Sequence, residues 1–252
     1  MKKLVLLILC YTLSTAVFVT RAQTNGWSVH FEKTQPLGSF AKSGSLLVDN
    51  YIGEGGAAKG IGMGVKYQHS LSIPATKKFK LMFTADILYN DLTKDIKDLI
   101  ERNDNPLNYF QTEPPSYFNI PITAGVNVNL GLLGFIKLYG EVGLGVNFRM
   151  VSDMEKVFVL NRGQLDETAF SGKIKFDDSR AFAFRLGVGL CFFNSLSVGV
   201  NYYNLGKSEL TGSLRSIDGA NILIESLERE YKEFSNGKIG TSMFLLTVGW
   251  HF

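Results

Sequence analysis

The sequence predicts an all-β fold, an eight-stranded antiparallel up-and-down transmembrane β-barrel, and three observations predict it. Apolar and polar residues alternate strictly along many segments; the connections between those segments alternate between short and long; and the bulky apolar residues of each segment share one face. Composition agrees. Hydrophobic residues at 45% with 19% charged suffice for burial, while 26 Gly and 19 Phe against 6 Pro favour strands and tight turns.

The first segment, MKKLVLLILCYTLSTAVFVTRAQT, has Lys2 and Lys3 at its tip, an apolar stretch from Leu4 to about Val19, and the small residue Ala22 before Gln23. It reads as a secretory signal peptide over 1–22, leaving 23–252 as the barrel domain. The competing reading is an uncleaved anchor helix, because the stretch approaches the ~17-residue minimum for a helical span. Cys10 does not make it a lipoprotein signal, since Leu9 is not small and the apolar run before it is too short. Loss of Lys2, Lys3 and Arg21 from the 26 basic residues balances the 23 acidic ones. Net charge therefore gives no support for binding nucleic acid, and no such partner is expected. Only Cys191 remains, which excludes an internal disulfide framework and a cysteine-based metal site; it reads as a small filler facing inward.

Eight strands follow, at about 26–34, 59–73, 78–91, 117–130, 135–152, 180–193, 195–210 and 239–252. In RAFAFRLGVGLCFF, Phe182, Phe184, Leu186, Val188, Leu190 and Phe192 lie on one face and Ala181, Ala183, Arg185, Gly187, Gly189 and Cys191 on the other. In YFNIPITAGVNVNL, Ile120, Ile122, Ala124, Val126, Val128 and Leu130 oppose Asn119, Thr123, Gly125, Asn127 and Asn129. The segment GFIKLYGEVGLGVNFRM repeats the split, with Lys137, Glu141, Asn147 and Arg149 on its polar side. Short connections fall at PATK, LGLLG and FNS, and long ones over 35–58, 92–116, 153–179 and 211–238. Short turns on one side and long loops on the other is the layout of a bacterial outer-membrane barrel, with the short turns in the periplasm.

A soluble barrel would turn its apolar stripe inward. Size argues against that here, because eight strands leave room only for side chains, and the small residues Gly, Ser, Thr and Asn occupy the polar stripe. Aromatics gather near strand ends on the apolar stripe: Trp27, Phe79, Phe192, Trp250 and Phe252 at the short-turn side, and Tyr89, Phe148, Phe182 and Tyr202 toward the long loops. Two such belts suit the two interfaces of a bilayer, so outer-membrane lipid is the expected partner of this face.

The last strand sets Phe244, Leu246, Val248, Trp250 and Phe252 on the outward face. On these residues the sequence resembles the small outer-membrane β-barrels of the OmpA and OmpX type, which end in an aromatic with a hydrophobic or aromatic residue two positions earlier. Thr247 stands where those proteins usually carry a glycine. The resemblance implies that the barrel-assembly machinery reads this strand and that the protein resides in a bacterial outer membrane.

Glu32, Lys66, Asp86, Glu141 and Arg185 all project into the lumen at about mid-height. Buried charges must pair or be hydrated, so these five are expected to form a network plugging the barrel; the alternative is a selectivity ring in a narrow porin. Lys80, Lys137 and Arg149 lie nearer the ends and are expected to meet water. Some barrels resembling this one modify lipid A through a histidine at the outer rim. Here His30 and His251 face inward toward the periplasmic end and His69 has lipid-facing parity, so no catalysis and no cofactor are expected. The stretch GEGGAAKGIGMG lacks the strand and helix that would make it a phosphate loop. In the long loops, Ile96, Leu99 and Ile100, and again Ile222, Leu223, Leu227 and Tyr231, recur at helical spacing and predict short helices over the mouth. Loops on a rigid wall are also where an extracellular ligand would be recognised.

Overall fold

The computed structural model describes residues 26–42, 55–71, 79–93, 109–112, 115–160, 168–218 and 237–252. The segment read as a signal peptide, the PATK turn and the two helical-spacing stretches of the loops lie outside them. Eight strands close a barrel: β1 (Gly26–Leu37), β2 (Gly60–Ser70), β3 (Phe79–Asn90), β5 (Tyr117–Leu133), β6 (Ile136–Val151), β9 (Ser179–Phe192), β10 (Leu196–Leu210) and β12 (Gly237–His251). Their order around the wall is β1-β12-β10-β9-β6-β5-β3-β2, every neighbour antiparallel. The last strand seals against the first from Ser28 opposite His251 to Leu37 opposite Ser242. Closure satisfies each ladder and leaves no edge facing lipid.

Alternation sorts the two faces as the sequence implies. Trp27, Val29, Phe31, Met63, Phe83, Ile87, Leu144, Leu186, Val188 and Val200 are exposed on the outer wall, and so are Phe244, Leu246, Val248 and Phe252 of the last strand. Paired rings mark the rims, with Trp27 on Tyr67 at 5.0 Å and Phe135 stacked on Phe193 at 5.3 Å at the short-turn end, and Tyr89 against Phe118 at 5.0 Å toward the other. An apolar surface of this extent, continuous around a closed cylinder, has lipid as its solvent.

The structure corrects the reading of the long connections in two places. Four further strands lie within them: β4 (Tyr109–Thr112), β7 (Met154–Leu160), β8 (Thr168–Phe176) and β11 (Gly212–Asp218). They form a second sheet in the order β11-β8-β7-β4, the same order as β10-β9-β6-β5 beneath. Backbone bonds cross the seam, Ser152 N donating to Ser116 O at 3.0 Å and Asp177 N to Thr211 O at 2.8 Å. Half of the wall thus rises beyond the barrel. A bulge in β10 between Asn204 and Lys207, with Gly206 at φ +73°, marks where β10 stops pairing with β9.

The second correction concerns the lumen. After β1 the chain makes one short helical turn, α1 (Gly38–Ala41), which drops Phe40 into the barrel mouth. The backbone at 55–57 folds over it, Gly55 N donating to Ser39 O and Ala57 N to Phe40 O, each at 2.8 Å. Phe40 packs edge-on to Tyr117 at 5.1 Å and joins Leu88, Val151, Phe176, Leu205, Leu210, Ile239, Met243 and Leu245 in one buried apolar cluster. The interior is polar in its middle and oily toward the long-loop end. That oily layer covers Arg149, which is 1% exposed and does not meet water as the sequence suggested. Its guanidinium donates to Ile239 O at 3.2 Å and to Thr241 Oγ1, and no carboxylate partners it among the described residues.

The outer face predicts a depth-dependent response. Leu186→Arg, at mid-wall, is expected to lower the unfolding free energy in lipid vesicles by about 2–4 kcal/mol. Lys175→Glu, on the sheet beyond the barrel, is expected to stay within about 0.5 kcal/mol. Urea titration followed by tryptophan fluorescence measures both, and equal costs would place the wall outside a bilayer.

Candidate functional site: a buried ion network across the lumen

Inward parity on each strand delivers one or two polar side chains to the same depth. Strand β1 contributes His30 and Glu32, β2 Lys66, β3 Asp86, β6 Glu141, β9 Arg185, β10 Tyr203 and β12 Thr247, all of them buried. Eight strands leave too narrow a bore for these groups to be separately hydrated, so they meet. Gly64 matters on the β2 wall, because a Cβ there would collide with Asp86 Oδ1 and come within 2.6 Å of His30 Nε2.

Arg185 is the hub, with no exposed surface. Its Nη2 lies 2.5 Å from Glu141 Oε1, and its Nη1 donates to the Tyr203 hydroxyl at 3.0 Å and stands 3.5 Å from Asp86 Oδ2. The guanidinium also lies over the Tyr203 ring, 5.4 Å from its centroid. The Tyr203 hydroxyl donates to Asp86 Oδ2, and His30 Nε2 is 2.6 Å from Asp86 Oδ1. On the other carboxylate, Lys66 Nζ donates to Glu141 Oε2 at 2.7 Å, and Asn127 donates to the same oxygen at 3.3 Å. Glu32 joins at the edge: its Oε1 lies 3.7 Å from His30 Nε2 and accepts from Thr247 Oγ1 at 3.4 Å, and Asn201 in turn donates to Thr247 at 2.6 Å.

The structure therefore places Lys66, Asp86, Glu141 and Arg185 in one chain of contacts, with Glu32 linked through His30 and Thr247. Sequence reasoning assigned His30 to the periplasmic end and did not name Tyr203. Their parity carried the information. His30 sits two residues from Glu32 on the same face, and an outward Tyr202 forces Tyr203 inward. Lys80, Lys137 and His251 are half-buried toward the short-turn end, Cys191 is a buried free thiol, and His69 is exposed on the outer wall.

A doubly paired guanidinium in a closed interior makes single deletions costly. Arg185→Leu is expected to destabilise the barrel by about 3–5 kcal/mol, because Asp86 loses its guanidinium and Glu141 one of its two cations without either regaining water. Glu141→Gln is expected to cost about 1–3 kcal/mol less in the Arg185→Leu background than alone. A double-mutant cycle from urea titrations reads the difference, and additivity would mean the two side chains do not interact.

No protein-family model and no curated protein sequence matches the chain. Among solved structures it is similar to Ail, the attachment invasion locus protein of Yersinia pestis, with 11% identity and a TM-score of 0.37 over 90% of this chain and 97% of that one. It is similar to the outer membrane protein OprG from Pseudomonas aeruginosa, with 15% identity and a TM-score of 0.40 over 90% and 95%. A major outer membrane protein from Thermus thermophilus gives 11% identity and a TM-score of 0.42 over 90% and 99%. Likeness at this level assigns no activity. By its own strand order and register, the chain is a closed eight-stranded antiparallel up-and-down barrel whose last strand pairs with its first.

Proposed function

We propose that the mature chain stands in a bacterial outer membrane, short turns in the periplasm and the β4-β7-β8-β11 sheet outside the cell, as a structural or surface-interaction protein with a sealed lumen. The observation that carries this reading is the two-layer filling of the bore. An ion network at mid-height lies under an apolar layer built on Phe40, Tyr117, Phe176 and Ile239, and side chains in both layers are almost fully buried. A conducting pore needs a water path, and charges in such a path would be partly exposed.

This reading gives the protein three partners. Outer-membrane lipid takes the apolar belt. The barrel-assembly machinery takes the last strand, through the outward row Phe244, Leu246, Val248, Trp250 and Phe252. An extracellular ligand has a platform in the raised sheet, where Lys173, Lys175 and Ser213 are exposed. One observation favours a narrow porin as the second reading: the filling at mid-height consists of ion pairs, which can exchange partners in a way that apolar packing cannot. Catalysis on lipid A receives no support from the inward placement of His30 or the exposed outer-wall position of His69.

Planar-bilayer recording of the refolded chain decides between plug and pore, with silence expected and steady ion-selective steps overturning the plug. Mass spectrometry of lipid A from expressing cells is expected to show no shift. Orientation is read separately: in a Cys191→Ser background, Lys175→Cys is expected to react with a membrane-impermeant maleimide on intact cells, and Gly134→Cys, in a short turn, is expected to stay unlabelled.

A further inference from the structure

One corner of the network is short of positive charge. Three carboxylates, Glu32, Asp86 and Glu141, meet two permanent cations, Lys66 and Arg185. Glu141 engages both cations, one through each oxygen. Asp86 reaches Arg185 only at 3.5 Å and only through Oδ2. Glu32 has no cationic contact within ion-pair distance except His30 among the described residues, and its Oε2 is buried without a hydrogen-bond partner among them. A carboxylate oxygen withdrawn from water in this way needs a compensating group.

The groups beside Glu32 are those of a metal site. His30 Nε2, an oxygen of Asp86 and an oxygen of Glu32 all lie within 4.8 Å of one another, and all three residues are buried. On β2, Gly64 stands opposite His30 and Gly62 opposite Glu32, and a Cβ at Gly62 would lie 3.1 Å from Glu32 Oε2. One imidazole nitrogen with two carboxylates suits zinc and neighbouring divalent transition metals, whereas magnesium or calcium would favour oxygen alone.

We propose that His30, Glu32 and Asp86 bind one divalent transition-metal ion of the zinc class inside the barrel. The ligands use the side of Asp86 turned away from Arg185, Oδ1, so the ion pair on Oδ2 persists. In the bound form the ion replaces the hydrogen bond between His30 Nε2 and Asp86 Oδ1, with Nε2 giving its lone pair to the metal and the proton on Nδ1. The ion supplies the charge that Glu32 lacks and ties β1 to β3 across the glycines of β2. No cysteine takes part in this set, and its histidine and aspartate are 56 residues apart in the chain, so no local spacing marks it. The site requires the closed barrel but neither its membrane address nor its sealed bore, so its failure leaves the proposed function standing.

The test uses the mature chain refolded in detergent, once in metal-free buffer and once with zinc chloride, with excess removed by dialysis. Elemental analysis is expected to find one zinc per chain, with a raised midpoint for the heat-induced gel shift. Glu32→Gln and His30→Gln are each expected to weaken binding by about 100-fold or more, beyond the loss typical of groups that merely orient a ligand; His69→Gln is expected to bind as the parent does. X-ray absorption at the zinc edge of the parent protein is expected to show one imidazole among oxygen donors, a reading that needs no variant to fold. Failure to retain zinc, manganese or iron(II), equal binding by Glu32→Gln, or a zinc shell without imidazole would each overturn the proposal.

Discussion

Closure of the ladder between β1 and β12 is the constraint on which the rest of the molecule depends. A sheet in lipid cannot leave a row of unpaired backbone groups at an edge, so the last strand must meet the first in a defined register. Once the ring is closed, side chains have two destinations only. Slipping any strand by one residue would turn Arg185, Asp86 or Glu141 into the bilayer and bring Phe, Leu and Val into a bore that cannot hold them. Hydrocarbon outside and limited space inside therefore enforce the same register.

The interior that results is built in two layers. At mid-height the buried charges pair closely, and the guanidinium of Arg185 organises two carboxylates and a phenol around itself. Above this layer the packing is apolar and includes a ring, Phe40, supplied by the chain that leaves β1. The two layers solve different problems. Ion pairs knit opposite walls together through directional contacts, and the oily layer excludes solvent from them, which strengthens each pair by lowering the local dielectric. Arg149 lies under the oily layer and relies on a carbonyl and a hydroxyl from β12.

Beyond the barrel, strand order is inherited. The raised sheet repeats the order of the four barrel strands below it, so its geometry is an extension of the wall and not an independent fold. The closed ring sets His30 and Glu32 opposite Gly64 and Gly62 of β2 and near Asp86 of β3, where a bound ion would add a cross-link between strands that are not neighbours.

The alternation along each strand by itself determined which face every residue takes, because a period of two needs no knowledge of partners. It placed Phe182 and Leu186 outside and Glu32, Lys66, Asp86, Glu141 and Arg185 inside, and the spacing of turns set the strand number. Tertiary structure alone decided which inward groups touch. The contact from Tyr203 to Asp86 spans 117 residues, and that from Arg185 to Glu141 spans 44, and each depends on the stagger of strands around the ring. Stagger is a property of the closed cylinder and leaves no mark on any one segment. The same reason hid the burial of Arg149 and the descent of Phe40, whose surroundings are assembled from several distant stretches. The raised sheet is not legible in the sequence because its strands are short, four residues in β4 and seven in β7 and β11, and their pairing joins connections that are distant in the chain.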